Sequence, residues 1–395
     1  MKLLNAIAVA SLGMALSTAA MAEDVKVGVF LGFTGPIEST VANMAPGADL
    51  AIEEVNASGK FMDGLTVTAV RGDTTCIDAA AATATAERLI TSDGVKAIVG
   101  GDCSGVTGAA LQNVAMPNGI VMISPSATSP GLSTMEDNGL FFRTAPSDAR
   151  QGEIVADILK EKGVSSIAIS YTNNDYGKGL ADAIQKNVEA QGGNVTLSAP
   201  HEDGKGDYSA EVGALAAAGG DVLVVAGYVD QGGRGIVQAA VDSGAFDVFY
   251  FPDGMVSPVL IENHGADIDG SFGANPGTDS PGAATYEKMA TDAGFEAGPF
   301  SAESYDAAAL ILLAMQAAGS TDSGVFKEKV MEVANAPGEK IYPGELAKGL
   351  EILAGGGDID YVGASAVELI GPGESAGNYR EIEISDGELK VVGYR

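Results

Sequence analysis

The side chains able to bind or react gather in loops that each follow a short apolar run. Gly100-Gly101-Asp102-Cys103-Ser104-Gly105 and Ser124-Pro125-Ser126-Ala127-Thr128-Ser129-Pro130 are rich in hydroxyls, shaped by glycine or proline, and free of basic residues. Such loops hold a carboxylate through backbone N–H groups, hydroxyls and the positive end of a following helix. Ser104 stands where a helix should begin, so an ordinary N-cap role competes with a binding role. Thr128 has a similar competing role in turn formation. Three further loops carry Tyr176, Tyr228 and Asp253, in Asp175-Tyr176-Gly177, Gly227-Tyr228-Val229 and Pro252-Asp253-Gly254. An aspartate so placed can grip an ammonium through a charge-assisted hydrogen bond. Pro-Asp-Gly is equally turn chemistry, and position alone does not separate the two.

The catalytic alternative rests on the same residues. Gly101-Asp102-Cys103-Ser104-Gly105 fits a G-x-C-x-G nucleophile elbow, with His264 downstream as a base. The chain has only two histidines, His201 and His264, and neither sits in a motif of its own. His201-Glu202-Asp203 and Asp358-Ile359-Asp360 lack the spacing of zinc or EF-hand sites. Gly232-Gly233-Arg234-Gly235 is neither a P-loop nor a dinucleotide fingerprint. No metal and no cofactor is expected.

The elements that must position these loops alternate. Apolar strand runs at Val25–Leu31, 65–70, 95–99 and 119–123 are separated by helical patterns over 47–57, 78–90 and 106–115. The same order repeats at 166–171, 179–190, 195–198, 210–217, 222–225, 235–243 and 248–251. Short β-branched runs alternating with helices imply parallel sheets with right-handed crossovers. The fold class is therefore α/β, with two doubly wound parallel-sheet lobes that divide near Arg143-Thr144-Ala145-Pro146. The stretch 271–282 is rich in Gly, Pro and Asp; 302–353 is read as purely helical, and strands return at 367–370, 381–384 and 389–392. This gives a first lobe of 23–144 plus 276–360 and a second of 145–275 plus 361–395, joined by a hinge. In such sheets a ligand sits beyond the carboxyl ends of the strands, which is where the loops above lie.

Composition bounds the partners. Lys2, an apolar stretch from Leu3 to Leu16 and Ala20-Met21-Ala22 form a secretory signal peptide over 1–22, leaving 373 of the 395 residues. No cysteine lies near the cleavage point, so a free protein in a Gram-negative periplasm is expected. Lys and Arg number 22 against 53 Asp and Glu, a formal charge of −31. Nucleic acid and anionic lipid surfaces are excluded by that imbalance. Cys76 and Cys103 are the only cysteines. In an exported chain the pair reads as a disulfide, against two free thiols.

Taken together, the loops resemble the periplasmic branched-chain amino acid-binding proteins, the type I solute-binding proteins of ABC importers. The resemblance spans the whole mature chain. It rests on Thr34-Gly35-Pro36, Cys103-Ser104-Gly105, Ser124–Pro130, Asp175-Tyr176-Gly177-Lys178-Gly179, Gly227-Tyr228 and Pro252-Asp253-Gly254. Glu303-Ser304-Tyr305-Asp306-Ala307 and Tyr342-Pro343-Gly344-Glu345 are further markers.

The resemblance implies a type I periplasmic binding protein fold that binds an amino acid between closing lobes and hands it to an inner-membrane permease, without chemistry of its own and as a monomer. It also implies site roles. Ser104 and Thr128 would contact the α-carboxylate, helped by backbone groups at Ser126 and Ala127. Asp253, with Thr128 and Tyr228, would hold the α-amino group, and Tyr176 would cover the ligand. Cys76 and Cys103 would form the family's disulfide and brace the loop bearing Ser104. Thr40 stands where the family often places an aromatic residue, leaving Phe33 and Phe300 to line an apolar pocket. Leucine, isoleucine or valine is the default solute. Another small organic acid or amide is the alternative within the same fold, and a secreted hydrolase using Cys103 the alternative outside it.

Overall fold

The computed structural model describes residues 24–395; the signal peptide expected over 1–22 lies outside the described residues. Two seven-stranded sheets organise the chain. The first runs, edge to edge, Leu369–Ile370, Glu374–Ser375, Phe141–Pro146, Val121–Ser124, Ala97–Gly100, Val25–Leu31 and Val67–Asp73. The second runs Glu388–Tyr394, Tyr379–Ser385, Phe272–Pro276, Phe249–Phe251, Val222–Ala226, Ser166–Thr172 and Asn194–His201.

In each sheet the first five strands in chain order are parallel, and the first lies between the second and third. Val27 thus sits between Ala69 and Ala97, and Ile169 between Ser198 and Val224. Helices cover both faces, which is why Val25–Leu31 is buried except at Lys26 and Val222–Ala226 is buried throughout.

The first lobe's core is completed by distant sequence. Helix Ser301–Ala318 is buried along almost its whole length and lies on helix Glu38–Ser58. Alanines at 307–309 and 314 let it approach closely, and Gly47 allows the contact, since a Cβ there would meet the Ser301 carbonyl and the Tyr286 hydroxyl. Among the described residues no single helix is long and apolar enough to cross a membrane.

Four expectations are corrected. Helix Glu38–Ser58 starts well before position 47 and carries Pro46 inside it; proline lacks the helical N–H, which hides the first turns from a pattern reading. The division expected near 143–146 falls at the end of the fifth strand, Phe141–Pro146, which belongs wholly to the first sheet, so the crossing comes after Pro146 rather than after residue 144. The tail 361–395 does not go wholly to the second lobe, because Leu369–Ile370 and Glu374–Ser375 join the first sheet. Arg143 fixes that edge: Nη2 meets Glu374 Oε2 at 2.5 Å, with the arginine 1% exposed. Strands of two residues carry no periodicity to read. The stretch expected to be purely helical is also interrupted by Glu339–Ile341, which pairs with Ile359–Tyr361. The chain therefore passes between the sheets three times, after Pro146, after Pro276 and between Ser375 and Tyr379.

Candidate functional site

The strand order reverses between the first and third strands of each sheet, and the loops leaving those strands open a crevice. Both crevices face one cavity. Its first wall is formed by Ile37, Thr40, Asp102, Cys103, Ser104 and Ser126, and its second by Tyr176, Tyr228, Asp253 and Gly254, with Phe300 between them.

The first wall is internally bonded. Ser104 is the first residue of helix Ser104–Ala110, with Cys103 at the cap, so its hydroxyl is not an N-cap. Ser104 Oγ instead accepts the Ser129 N–H at 3.1 Å. Ser124 Oγ accepts the Ala127 N–H at 2.9 Å and donates to the Gly101 carbonyl at 2.5 Å. Ser126 Oγ donates to the Asp102 carbonyl at 3.1 Å. The Asp102 carboxyl accepts from Thr74 Oγ1 at 2.7 Å and from the Gly32 N–H. Burial nonetheless lifts its pKa above the ordinary carboxylate range. Cys76 and Cys103 form a disulfide that ties this loop to the segment after strand Val67–Asp73, on the far side of Val25–Leu31.

The second wall is aromatic and acidic. Tyr176 OH donates to Asp253 Oδ1 at 2.6 Å, and the Gly254 N–H reaches the same oxygen at 2.8 Å. The Tyr176 and Tyr228 rings stack with centroids 5.1 Å apart. Gly254 is required here, since a Cβ would fall 2.6 Å from both the Gly227 carbonyl and the Tyr176 hydroxyl. Burial raises the Asp253 pKa, and burial followed by the Asp253 charge holds the Tyr176 phenol well above its usual value.

Behind this wall lie two residues that sequence reasoning missed. Gln151 Oε1 accepts the Asp253 N–H at 3.1 Å, and its Nε2 donates to Asp148 Oδ1 at 3.1 Å. Asp148 opens helix Asp148–Glu161, is fully buried, and donates its N–H to the Thr128 carbonyl at 2.8 Å. Ser147-Asp148 reads as a routine helix start, so nothing in the local sequence signals an inward-facing acid.

Of the expected site residues, Ser104, Ser126, Tyr176, Tyr228, Asp253 and Phe300 are brought to the cavity. Ala127 and Thr128 are not. The Ala127 N–H is committed to Ser124, and Thr128 Oγ1 is buried without a hydrogen-bond partner. Phe33 also lies elsewhere: its ring sits 5.6 Å under the Arg71 guanidinium. Neither His201 nor His264 lines the cavity, and Cys103, the nucleophile of the catalytic alternative, is paired with Cys76.

A family model described as periplasmic binding protein matches residues 24–338. The chain belongs to the periplasmic binding protein family. This periplasmic binding protein is 34% identical over 323 residues to Leu/Ile/Val-binding protein homolog 1 of Brucella suis biovar 1 (strain 1330), covering 80% of this chain and 83% of the relative. The crystal structure of a leucine-binding protein from Thermotoga maritima MSB8 matches with a TM-score of 0.79 at 22% identity, covering 94% of this chain and 98% of the other. A solute-binding protein of an ABC transporter from Rhodopseudomonas palustris HaA2, solved with p-hydroxybenzoic acid, matches with a TM-score of 0.73 at 19% identity, covering 94% and 97%. These structural likenesses establish the type I periplasmic binding protein fold.

Proposed function

We propose that this chain is the solute-binding component of an ABC importer, and that it closes around an amino acid with an apolar side chain in the periplasm. The observation that carries the reading is the pairing of walls. Ser104 and Ser126 hydroxyls stand on one side of the cavity, the buried Asp253–Tyr176 pair stands on the other, and the lining holds no Lys or Arg. A zwitterion fits that division: its carboxylate meets hydroxyls and its ammonium meets the acid. Because the two ends are held by different lobes, the bound solute favours the closed arrangement, and the inner-membrane permease recognises that shape. No catalysis is proposed, and the protein is taken to act as a monomer.

The Rhodopseudomonas complex supports a second reading, an aromatic acid. Such a ligand brings a third negative group beside Asp102 and Asp253 with no lining cation to meet it, and it is the weaker candidate. Calorimetry against L-leucine, its deaminated keto-acid and p-hydroxybenzoate separates the two. Binding of leucine alone is expected; tight binding of either amine-free acid overturns the assignment. Small-angle scattering should show a more compact particle with saturating leucine.

A further inference from the structure

Among the described residues, the second wall conceals a charge that the proposed grip on the ammonium does not use. Asp148 and Asp253 are both buried and are linked through one side chain, since Gln151 bonds Asp148 Oδ1 with its amide nitrogen and the Asp253 N–H with its amide oxygen. Asp148 Oδ2 has no hydrogen-bond partner. Two more buried hydroxyls face it: Thr128 Oγ1, whose side chain favours the ionised form of Asp148, and Tyr379 OH.

The groups facing this acid pair from each packed element are few. The strand Phe141–Pro146 contributes Arg143, the turn after Phe251 contributes Asp253, the strand Tyr379–Ser385 contributes Tyr379, helix Asp175–Ala190 contributes Tyr176, the loop after Val222–Ala226 contributes Tyr228, and the strand Phe249–Phe251 contributes Tyr250. Arg143 is the only cation among them, and its bonds go elsewhere: Nη1 to the Ala127 and Ser129 carbonyls, Nη2 to Ser133 and Glu374. With Glu374 balancing Arg143, two buried carboxyls remain without a counter-charge.

We propose that Asp148 and Asp253 hold one proton between them while the site is empty, and that the ligand's ammonium takes the place of that proton, so that binding releases one proton to the buffer. The proposal rests on the amino-acid reading given above. Two like charges in a site closed to water cannot both ionise at modest cost, and the proton settles on the pair rather than on either member. Burial followed by the Asp253 charge does hold Asp148 well above the usual carboxylate range. An ammonium at Asp253 supplies the missing positive charge; the shared O–H bond then breaks, its electron pair stays on the carboxylate, and the proton leaves. Asp148 acts through Asp253 and is a positioning residue: the pair carries a single negative charge when empty, shared around one proton, and the same charge when an ammonium has replaced that proton, so a cationic group is favoured there.

The test is calorimetry of L-leucine at one neutral pH in buffers of different ionisation enthalpy, using the full mature chain. The observed heat should vary with buffer enthalpy in proportion to about one proton released. The leucine dissociation constant should fall about tenfold per pH unit below the titration of the pair and level off above it. Asp148→Asn should bring the proton count near zero. A wild-type count of zero with leucine bound overturns the proposal, even if the variant fails to fold. Infrared spectra of the ligand-free protein give an arm that needs no ligand. In the difference spectrum between wild type and Asp148→Asn at neutral pH, which cancels the buried Glu303, a protonated-carboxyl stretch should stand on the wild-type side; its absence there sinks the shared proton. Leucine that fails to bind while that band is present refutes the amino-acid reading instead, so the two failures are distinguishable.

Discussion

On the first lobe, the polar groups beside the cavity answer to neighbours in their own wall: Ser124 to Ala127, Ser126 to Asp102, Ser104 to Ser129, Asp102 to Thr74. On the second lobe, Asp253 has one oxygen bonded to Tyr176 and Gly254, and the acid behind it leaves an oxygen unmatched. A wall that is already satisfied offers fixed geometry and loses little conformational freedom when a ligand arrives. A wall with an uncompensated acid offers energy, because a cation there removes an electrostatic cost as well as adding a bond. Under the amino-acid reading proposed above, the first lobe sets where a solute sits and the second sets which charge it must carry.

The largest effect expected is on the brace of the first wall. Replacing Cys76 and Cys103 together by serine removes a cross-link across 27 residues. In the chain-entropy model this costs about 3–4 kcal/mol of stability, read by urea unfolding. Leucine affinity should fall as well, since the loop bearing Ser104 loses its anchor. Stability that drops while affinity holds breaks the idea that this wall must be pre-set.

Next comes the charge itself. Asp253→Asn should weaken leucine binding about a hundredfold by calorimetry, the expected consequence of removing one partner of a desolvated charge pair. Ser104→Ala should cost only several-fold, as for one neutral hydrogen bond. Equal losses for the two variants would erase the contrast between the walls.

The second wall should also be the acid-sensitive one. His201 lies behind the loop that carries Tyr228, buried, with Nδ1 2.8 Å from Ser170 Oγ and Nε2 unpartnered. Burial lowers its pKa to about 4 from an ordinary 6.5. Between those values the unfolded chain binds the proton and the folded one does not, so stability is complete above pH 6.5 and is lost as pH falls toward 4. About 3 kcal/mol is at stake over the whole window. Urea unfolding at pH 7 and pH 5 measures it, and His201→Gln should flatten that dependence. An unchanged slope in the variant would assign the acid sensitivity elsewhere.

Much of this arrangement was legible in the sequence because parallel strands are continuous apolar runs and site loops follow them at fixed places. Ser104, Tyr176, Tyr228 and Asp253 were found that way, and their common cavity followed from the two repeated strand series. Two kinds of feature escaped. Phe33 was expected to line an apolar pocket, but its ring lies against the Arg71 guanidinium instead. Asp148 and Gln151 act through tertiary contacts on the inner face of a helix whose first turn looks ordinary, and Leu369–Ile370 is held by its pairing with Glu374–Ser375, by the Asn335 side chain and by burial of Leu369. Residues whose role depends on what packs against them leave no local trace.

The smallest effect expected concerns the seam between the walls. Asp230, two residues beyond Tyr228, accepts the Ser39 N–H on Oδ2 at 2.9 Å and donates its own N–H to the Pro36 carbonyl at 3.3 Å. Ser39 lies in the first turn of helix Glu38–Ser58, between Ile37 and Thr40, which line the cavity. The carboxylate thus meets the positive end of a 21-residue helix from the opposite lobe. Under the closure proposed above, this bond forms only when the lobes meet and never touches the solute. Asp230→Ala should raise the leucine dissociation constant about fivefold, near 1 kcal/mol, by lowering the closed fraction. The change should appear in the off-rate, with the on-rate nearly constant. Asp230→Asn keeps an acceptor oxygen and should fall between the two, with a weaker dependence on salt. An off-rate unmoved by Asp230→Ala would mean that the walls are held together by the solute alone, and the division of labour between them would then be complete without a latch.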